Sequence, residues 1–336
     1  MAEKKEIKWG IVGYGAAFGM GKAHAGWINA SPGMNTIAVC DTDPARTAAA
    51  EEDFPGIATY NDLASMLKNK DIDNMVNILP HNLHHPVTME CLKAGKGVVL
   101  EKPMCLTTDQ ATEMIELAKK KKLLLTVFHN RRHDGDYKAV KEFISKGMIG
   151  EVFRIEAFMG GWGHPGHWWR TVREISGGHM YDWGAHQMDW ILSFLEGRKI
   201  QNVTGFFQKR IWMDVTNEDE TQAIIRFDND VVADLTMSQI ARVSKPRWRI
   251  LGTKGAIEDK WTGSFKAFTE VKGYPAEMEV PYQPGTWEQW YPNLAAHLLK
   301  GKPLEVKPEE ARRVIMCIEY AERSAKAGKS IETPFD

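Results

Sequence analysis

The stretch Ile7-Lys8-Trp9-Gly10-Ile11-Val12-Gly13-Tyr14-Gly15 decides how the first part of the chain folds. A short apolar run passes straight into two glycines, and a helical pattern follows over 22–30. Glycines at such a turn let the backbone approach a pyrophosphate, and the helix N-terminus behind them supplies N–H groups and a positive dipole end. The usual spacing puts a third glycine where Phe18 stands. Gly19 and Gly21 follow instead, so the loop is longer than the common fingerprint.

Outward from this strand, apolar runs at 36–40, 75–79, Gly97–Leu100 and 123–128 alternate with helical patterns at Pro44–Asp53, 61–69, 86–94 and 107–121. Pro44 and Pro86 read as first-turn prolines. Runs that are apolar on both faces and separated by helices predict βαβ units and a doubly wound parallel sheet, with ligand at the carboxyl ends of its strands. From residue 151 the texture changes. Strand-like runs at 151–158, 201–210, 220–227, 231–239, 247–252 and 256–260 follow one another without helices, which predicts an antiparallel or mixed sheet, and 227–231 reads as a hairpin turn. A last helix is expected over 309–327. The expected class is α/β, with a Rossmann domain over 1–128 and a C-terminal domain over 129–336.

A chain of 336 residues, 43% hydrophobic, can bury the cores of two domains. A net charge of −1 recommends neither nucleic acid nor an anionic membrane as partner. Cys40, Cys91, Cys105 and Cys317 include no C-x-x-C pair, so neither a disulfide framework nor a zinc site is expected. The charged start Met1-Ala2-Glu3-Lys4-Lys5-Glu6 has no signal-peptide core, and no apolar run approaches the roughly 20 residues that span a bilayer. The expectation is a soluble, cytoplasmic protein.

Three sites carry the chemistry. Asp41 ends the second strand, where a carboxylate accepts from ribose hydroxyls and repels a 2′-phosphate, which favours NAD over NADP. An N-cap for the helix at Pro44 is its other use. Lys102, in Glu101-Lys102-Pro103, sits just past the strand Gly97–Leu100, at the edge where nicotinamide belongs, and can donate to a substrate hydroxyl. Asp182 and His186 lie four apart in Gly177-Gly178-His179-Met180-Tyr181-Asp182-Trp183-Gly184-Ala185-His186. On a helix spanning 178–194 they share one face, and His186 can take a hydroxyl proton while hydride leaves the same carbon. A helix cap and a core histidine are the structural alternative.

These pieces, with Gly21-Lys22-Ala23-His24, Pro80 and His84, Ala94-Gly95-Lys96, Arg131-Arg132 and Gly147-Met148-Ile149-Gly150-Glu151, resemble the glucose–fructose oxidoreductase/inositol dehydrogenase (Gfo/Idh/MocA) family over nearly the whole chain. The resemblance implies a C-terminal α/β domain with a large, mostly antiparallel sheet whose open face joins subunits as a homodimer or homotetramer. It implies a catalytic Lys-Asp-His set, falling here on Lys102, Asp182 and His186. Cofactor contacts are expected from Gly13, Gly15, Gly21, Asp41, Pro80, His81, His84, Glu101 and Lys102. His81 stands where the family usually has an asparagine.

The aromatic segment Trp162-Gly163-His164-Pro165-Gly166-His167-Trp168-Trp169-Arg170 suits a sugar or cyclitol ring, with apolar faces and a polar rim. It equally suits filling a domain junction. Substrate contacts are expected from Arg131, Trp162, His164, Trp168, Trp169, Arg170, Asp182 and His186. No carboxylate lies at ligand spacing among His164, His167 and His179, so no metal is expected. The expected enzyme moves hydride between NAD and a secondary hydroxyl or ketone of a polyol or sugar. Two alternatives stay open: NAD-recycling oxidation and elimination that cleaves a glycoside, and a non-catalytic NAD-binding regulator.

Overall fold

The computed structural model describes residues 6–334, so the charged start at residues 1–5 lies outside the described part. The chain forms two compact units. The first runs to Cys105 and takes in Asp109–Phe128 and Glu288–Arg312; the second holds Leu106–Thr108, His129–Trp287 and the chain from Arg313.

The first unit alternates β1 (Ile7–Val12), α1 (Met20–Asn29), β2 (Met34–Cys40), α2 (Pro44–Asp53), β3 (Ala58–Tyr60), α3 (Leu63–Leu67), β4 (Asn74–Asn77), α4 (His81–Lys93), β5 (Gly97–Leu100), α5 (Thr108–Lys121) and β6 (Leu125–Val127). The strands pair in the order β3-β2-β1-β4-β5-β6, every pair parallel. β5 and β6 are buried along their whole length, as a sheet covered on both faces requires. The order reverses between β1 and β4, and such a switch point opens a crevice at the carboxyl edge. Gly13, Asp41, Pro80 and Lys102 all follow strand ends on that edge. Two elements differ from expectation: β3 answers to no expected run, and α4 starts at His81, with Pro80 as its N-cap, so Pro86 lies inside the helix and not in its first turn.

The second unit contains α6 (Gly135–Ser145), β7 (Val152–Gly160), α7 (Arg173–Ser176), α8 (Trp183–Phe194), β8 (Ile200–Gln208), β9 (Glu220–Phe227), β10 (Val232–Ser238), β11 (Trp248–Gly252), β12 (Gly255–Asp259), β13 (Ser264–Val271) and β14 (Tyr274–Pro281). After these come α9 (Trp290–Lys300), α10 (Pro308–Ala327) and β15 (Ile331–Glu332). Nine strands form one sheet, β14-β13-β12-β11-β7-β10-β9-β8-β15, antiparallel throughout except for β7 beside β10. Residues Asp228–Asp230 make the hairpin between β9 and β10, with Asn229 and Asp230 in the left-handed region that Asn and Asp tolerate. α8 packs against β7 and β10, and its Trp190 stacks on Trp248 of β11 at 5.7 Å.

α9 belongs to the first unit. Its Trp290, Tyr291 and Leu294 join Trp9, Ile11, Ile28, Val76, Val99 and Phe128 in one apolar core. Among the described residues, no helix is long and apolar enough to cross a membrane.

Candidate active site

The glycine loop divides its work. Gly13 has φ +96°, and a Cβ there would press on the Ile78 carbonyl at 3.0 Å. A Cβ on Gly21 would lie 2.6 Å from Tyr14 Cδ2. These two glycines are needed by the loop's own packing. Gly15 has open space where a Cβ would stand, which leaves room for a ligand phosphate against bare backbone. No side chain caps the N-terminus of α1, the arrangement that receives a phosphate. Tyr14 braces the loop by donating from its hydroxyl to Asp53 at 2.8 Å, and Lys22 holds the same carboxylate at 2.6 Å.

Asp41 accepts from the Tyr14 N–H at 2.7 Å and from the Asp43 N–H at 3.0 Å, tying the end of β2 to the glycine loop. It does not cap α2; Asp43 does, accepting from the Ala45 N–H at 2.9 Å. A dinucleotide therefore fits the residues present, with open backbone at Gly15 and a carboxylate at the ribose end.

At the exit of β4, His84 is fully buried with Nδ1 2.7 Å from the Pro103 carbonyl and Nε2 2.8 Å from the Leu79 carbonyl. Burial holds its pKa below the usual imidazole range. Both ring nitrogens face backbone carbonyls, so the neutral ring donates to one of the turns after β4 and β5 and packs against the other. His81 opens α4 and is buried, its ring 5.8 Å from that of His84.

Lys102 is buried directly past β5. In its neighbour Glu101, Oε1 meets His24 Nε2 at 3.0 Å, and Oε2 accepts from the Lys102 N–H at 3.1 Å. Burial would raise the Glu101 pKa, but the His24 bond and the Lys102 charge outweigh it and hold it low.

In the second unit, α8 begins at Trp183, not at Gly178. Asp182 is its N-cap residue but makes no side-chain cap bond; its carboxylate accepts from Arg170 Nη1. His186, buried one turn on, lies edge-on to Trp183 at 5.8 Å and to His129 at 6.5 Å. The guanidinium of Arg131 lies 4.2 Å over Trp183 and 2.8 Å from Asp134, and is thereby held at the start of α8.

The aromatic segment separates into two groups. Trp168, Trp169 and Arg170 gather at Asp182, the guanidinium 5.5 and 5.0 Å from the two rings. Trp162 instead packs on Trp212 at 5.6 Å and under Arg242 at 3.6 Å, and His164 lies edge-on to Trp212 at 5.2 Å. Asp214, far off in sequence, supplies the carboxylate that the local spacing lacks: His164, His167 and Asp214 place ligand atoms within 4.8 Å of one another. His164 Nδ1, however, accepts from the Gly166 N–H at 3.0 Å, which puts the ring proton on Nε2, facing Asp214 at 3.0 Å. A cation on Nε2 would have to send that proton to Nδ1, against a backbone donor, so the cluster is a hydrogen-bonded one.

Asp189 and His129, which composition and spacing did not single out, belong to this region. Asp189 takes a bidentate pair from Arg132 at 2.8 and 2.6 Å, beneath His129. His179 is held neutral by desolvation, its pKa pushed down to about 4. Arg132 and Asp189 are 57 positions apart, so no local pattern exposes their pairing.

Residues 7–129 match the model of an oxidoreductase family with an NAD-binding Rossmann fold, and residues 137–258 match the GFO/IDH/MocA C-terminal domain. The chain is similar to scyllo-inositol 2-dehydrogenase (NADP(+)) IolW of Bacillus subtilis, 26% identical over 97% of this chain and 95% of that one. It is 25% identical to the inositol 2-dehydrogenase of Corynebacterium glutamicum over 70% of this chain and 67% of that one. A solved NAD-binding protein from Listeria innocua, 25% identical, superposes with a TM-score of 0.85 over 98% of this chain and 97% of that one. A glycine loop open at Gly15, a parallel sheet of Rossmann order and a second unit with a mostly antiparallel sheet agree with these matches along both halves, and the chain belongs to the Gfo/Idh/MocA family of NAD(P)-dependent dehydrogenases acting on CH–OH groups, with NAD the cofactor in line with that family.

Proposed function

We propose that this dehydrogenase acts on a secondary hydroxyl, or the matching ketone, of a sugar, cyclitol or sugar derivative, with Lys102, Asp182 and His186 as its acid–base set. Lys102 carries the proposal. It is a buried lysine on the sheet edge that also holds Gly13 and Asp41. Burying an ammonium is costly unless it is compensated, and the Glu101 carboxylate beside it offsets that cost. A fold has little use for such a charge; a reaction at an oxygen does.

NAD, when bound, supplies the hydride acceptor. His186 takes the hydroxyl proton as hydride leaves carbon, and Lys102 donates a hydrogen bond to the same oxygen. Asp182, which accepts from Arg170 Nη1, is the carboxylate assigned to orient that imidazole. Asp41 supports NAD over NADP, although IolW is named for NADP. Trp168, Trp169 and Arg170, gathered at Asp182, suit the face and rim of a polyol ring, and the two inositol dehydrogenases among the relatives favour a cyclitol. The nine-stranded sheet is the proposed contact between subunits of a homodimer or homotetramer.

The test is absorbance of reduced nicotinamide with NAD and a panel of monosaccharides, anhydrosugars, sugar acids and inositols, with Lys102→Ala alongside. Accumulation with at least one compound, lost in Lys102→Ala, is expected. NAD binding without accumulation across the panel would overturn the proposal in favour of glycoside cleavage with recycled cofactor.

A further inference from the structure

α1 buries a histidine that the proposed chemistry does not use. His24 is fully buried, with Nε2 3.0 Å from Glu101 Oε1 and Nδ1 2.6 Å from the Tyr291 hydroxyl on α9. An ionised carboxylate only accepts, so Nε2 carries the proton toward Glu101, and in that tautomer Nδ1 accepts from Tyr291. Donation then runs one way, from Tyr291 to His24 to Glu101, while the other carboxylate oxygen takes the Lys102 N–H at 3.1 Å. His24 packs edge-on against Tyr291 at 5.7 Å and at 4.5 Å from Phe128, so the ring has no room to turn.

We propose that Tyr291 and His24 are positioning residues for Lys102: they fix the Glu101 carboxylate, and through it the place and charge of the lysine. The chain of bonds lies within the first unit and ties α1, the end of β5 and the returning α9 to one point. The titratable groups facing Glu101 are His24 from α1, Tyr291 from α9 and Lys102 from its own turn, while His84 from α4 senses both Glu101 and Lys102. Burial, and then the Glu101 charge, hold the Tyr291 phenol well above its ordinary pKa, so it stays a donor across the working range. The two sequence signals, His24 and Tyr291, are 267 positions apart, which is why no motif joins them.

This inference rests on the acid–base role of Lys102, and the experiment separates the two. Tyr291→Phe keeps the ring and removes one oxygen; His24→Gln keeps a donor of different reach. Both are compared with wild type and Lys102→Ala for kcat, NAD affinity and the pH dependence of kcat. Expected are a roughly 10- to 100-fold fall in kcat, unchanged NAD affinity and a displaced pH profile, because a misplaced acid–base group loses rate without losing cofactor. The double variant should lose no more than the worse single one, since both act through Glu101. A lower melting temperature with wild-type kcat and pH profile in Tyr291→Phe would reduce the bonds to structural ones and overturn the inference. If Lys102→Ala itself remains active, the acid–base reading fails first. Should His24→Gln not fold, Tyr291→Phe decides alone.

Discussion

Single residues already carry a pH signature. His179 has its pKa lowered from 6.5 to about 4, mainly by desolvation, with Asp182 and Asp219 opposing. Its Nδ1 is buried with no partner among the described residues, which suits a neutral ring. Between those two values the unfolded chain binds a proton that the folded chain refuses. Stability therefore falls as pH drops through that window. Urea midpoints measured across it should fall more steeply for wild type than for His179→Gln; equal slopes would sink the assignment. At this scale the sequence is legible where a residue type has one use. Gly13 and Gly21 are glycines because backbone and Tyr14 crowd them. For His84 and Glu101, residue type does not reveal that Leu79, Pro103 and His24 face them.

At the scale of one element, α8 shows what spacing can and cannot supply. Asp182 and His186 stand out at an interval of four, yet the helix begins after Asp182, and Arg170 engages its carboxylate. Asp189, one turn past His186, is nearly fully buried, and Arg132 and then His129 hold its pKa low against desolvation. Asp189→Ala would remove a bidentate carboxylate from the Arg132 guanidinium, which is only 13% exposed. Breaking such a pair costs about 3–5 kcal/mol. Denaturant titration should show that loss, and Arg132→Met combined with Asp189→Leu should recover much of it, because an apolar pair of similar size removes both buried charges together. Single losses that simply add would mean the pair is not coupled. The same limit hid α9. It is a short helix whose apolar face answers to Trp9 and Phe128, both more than a hundred positions away, so its packing is visible only after folding.

For the whole chain, the parallel sheet was readable because its covered strands are mainly apolar on both faces, whereas the large sheet shows only as strands in series. What the series could not show is the row its register makes. Asp234, Glu156, Arg249, Glu258, Lys266 and Glu279 are successive cross-strand partners and therefore share one face. Arg249 holds Glu156 at 2.9 Å, and both side chains remain solvent-accessible. If this face joins subunits as proposed, its attraction is electrostatic and falls as salt rises. Arg249→Glu would leave the row acidic from Asp234 to Glu258. An exposed pair is worth at most about 1 kcal/mol, so the fold should tolerate the change. Sedimentation velocity should then show a smaller particle for Arg249→Glu, and for wild type at high salt, with the unfolding midpoint little altered. An unchanged mass in both conditions would move the subunit contact off this face, because no interface built on that row could absorb four consecutive acids without loss.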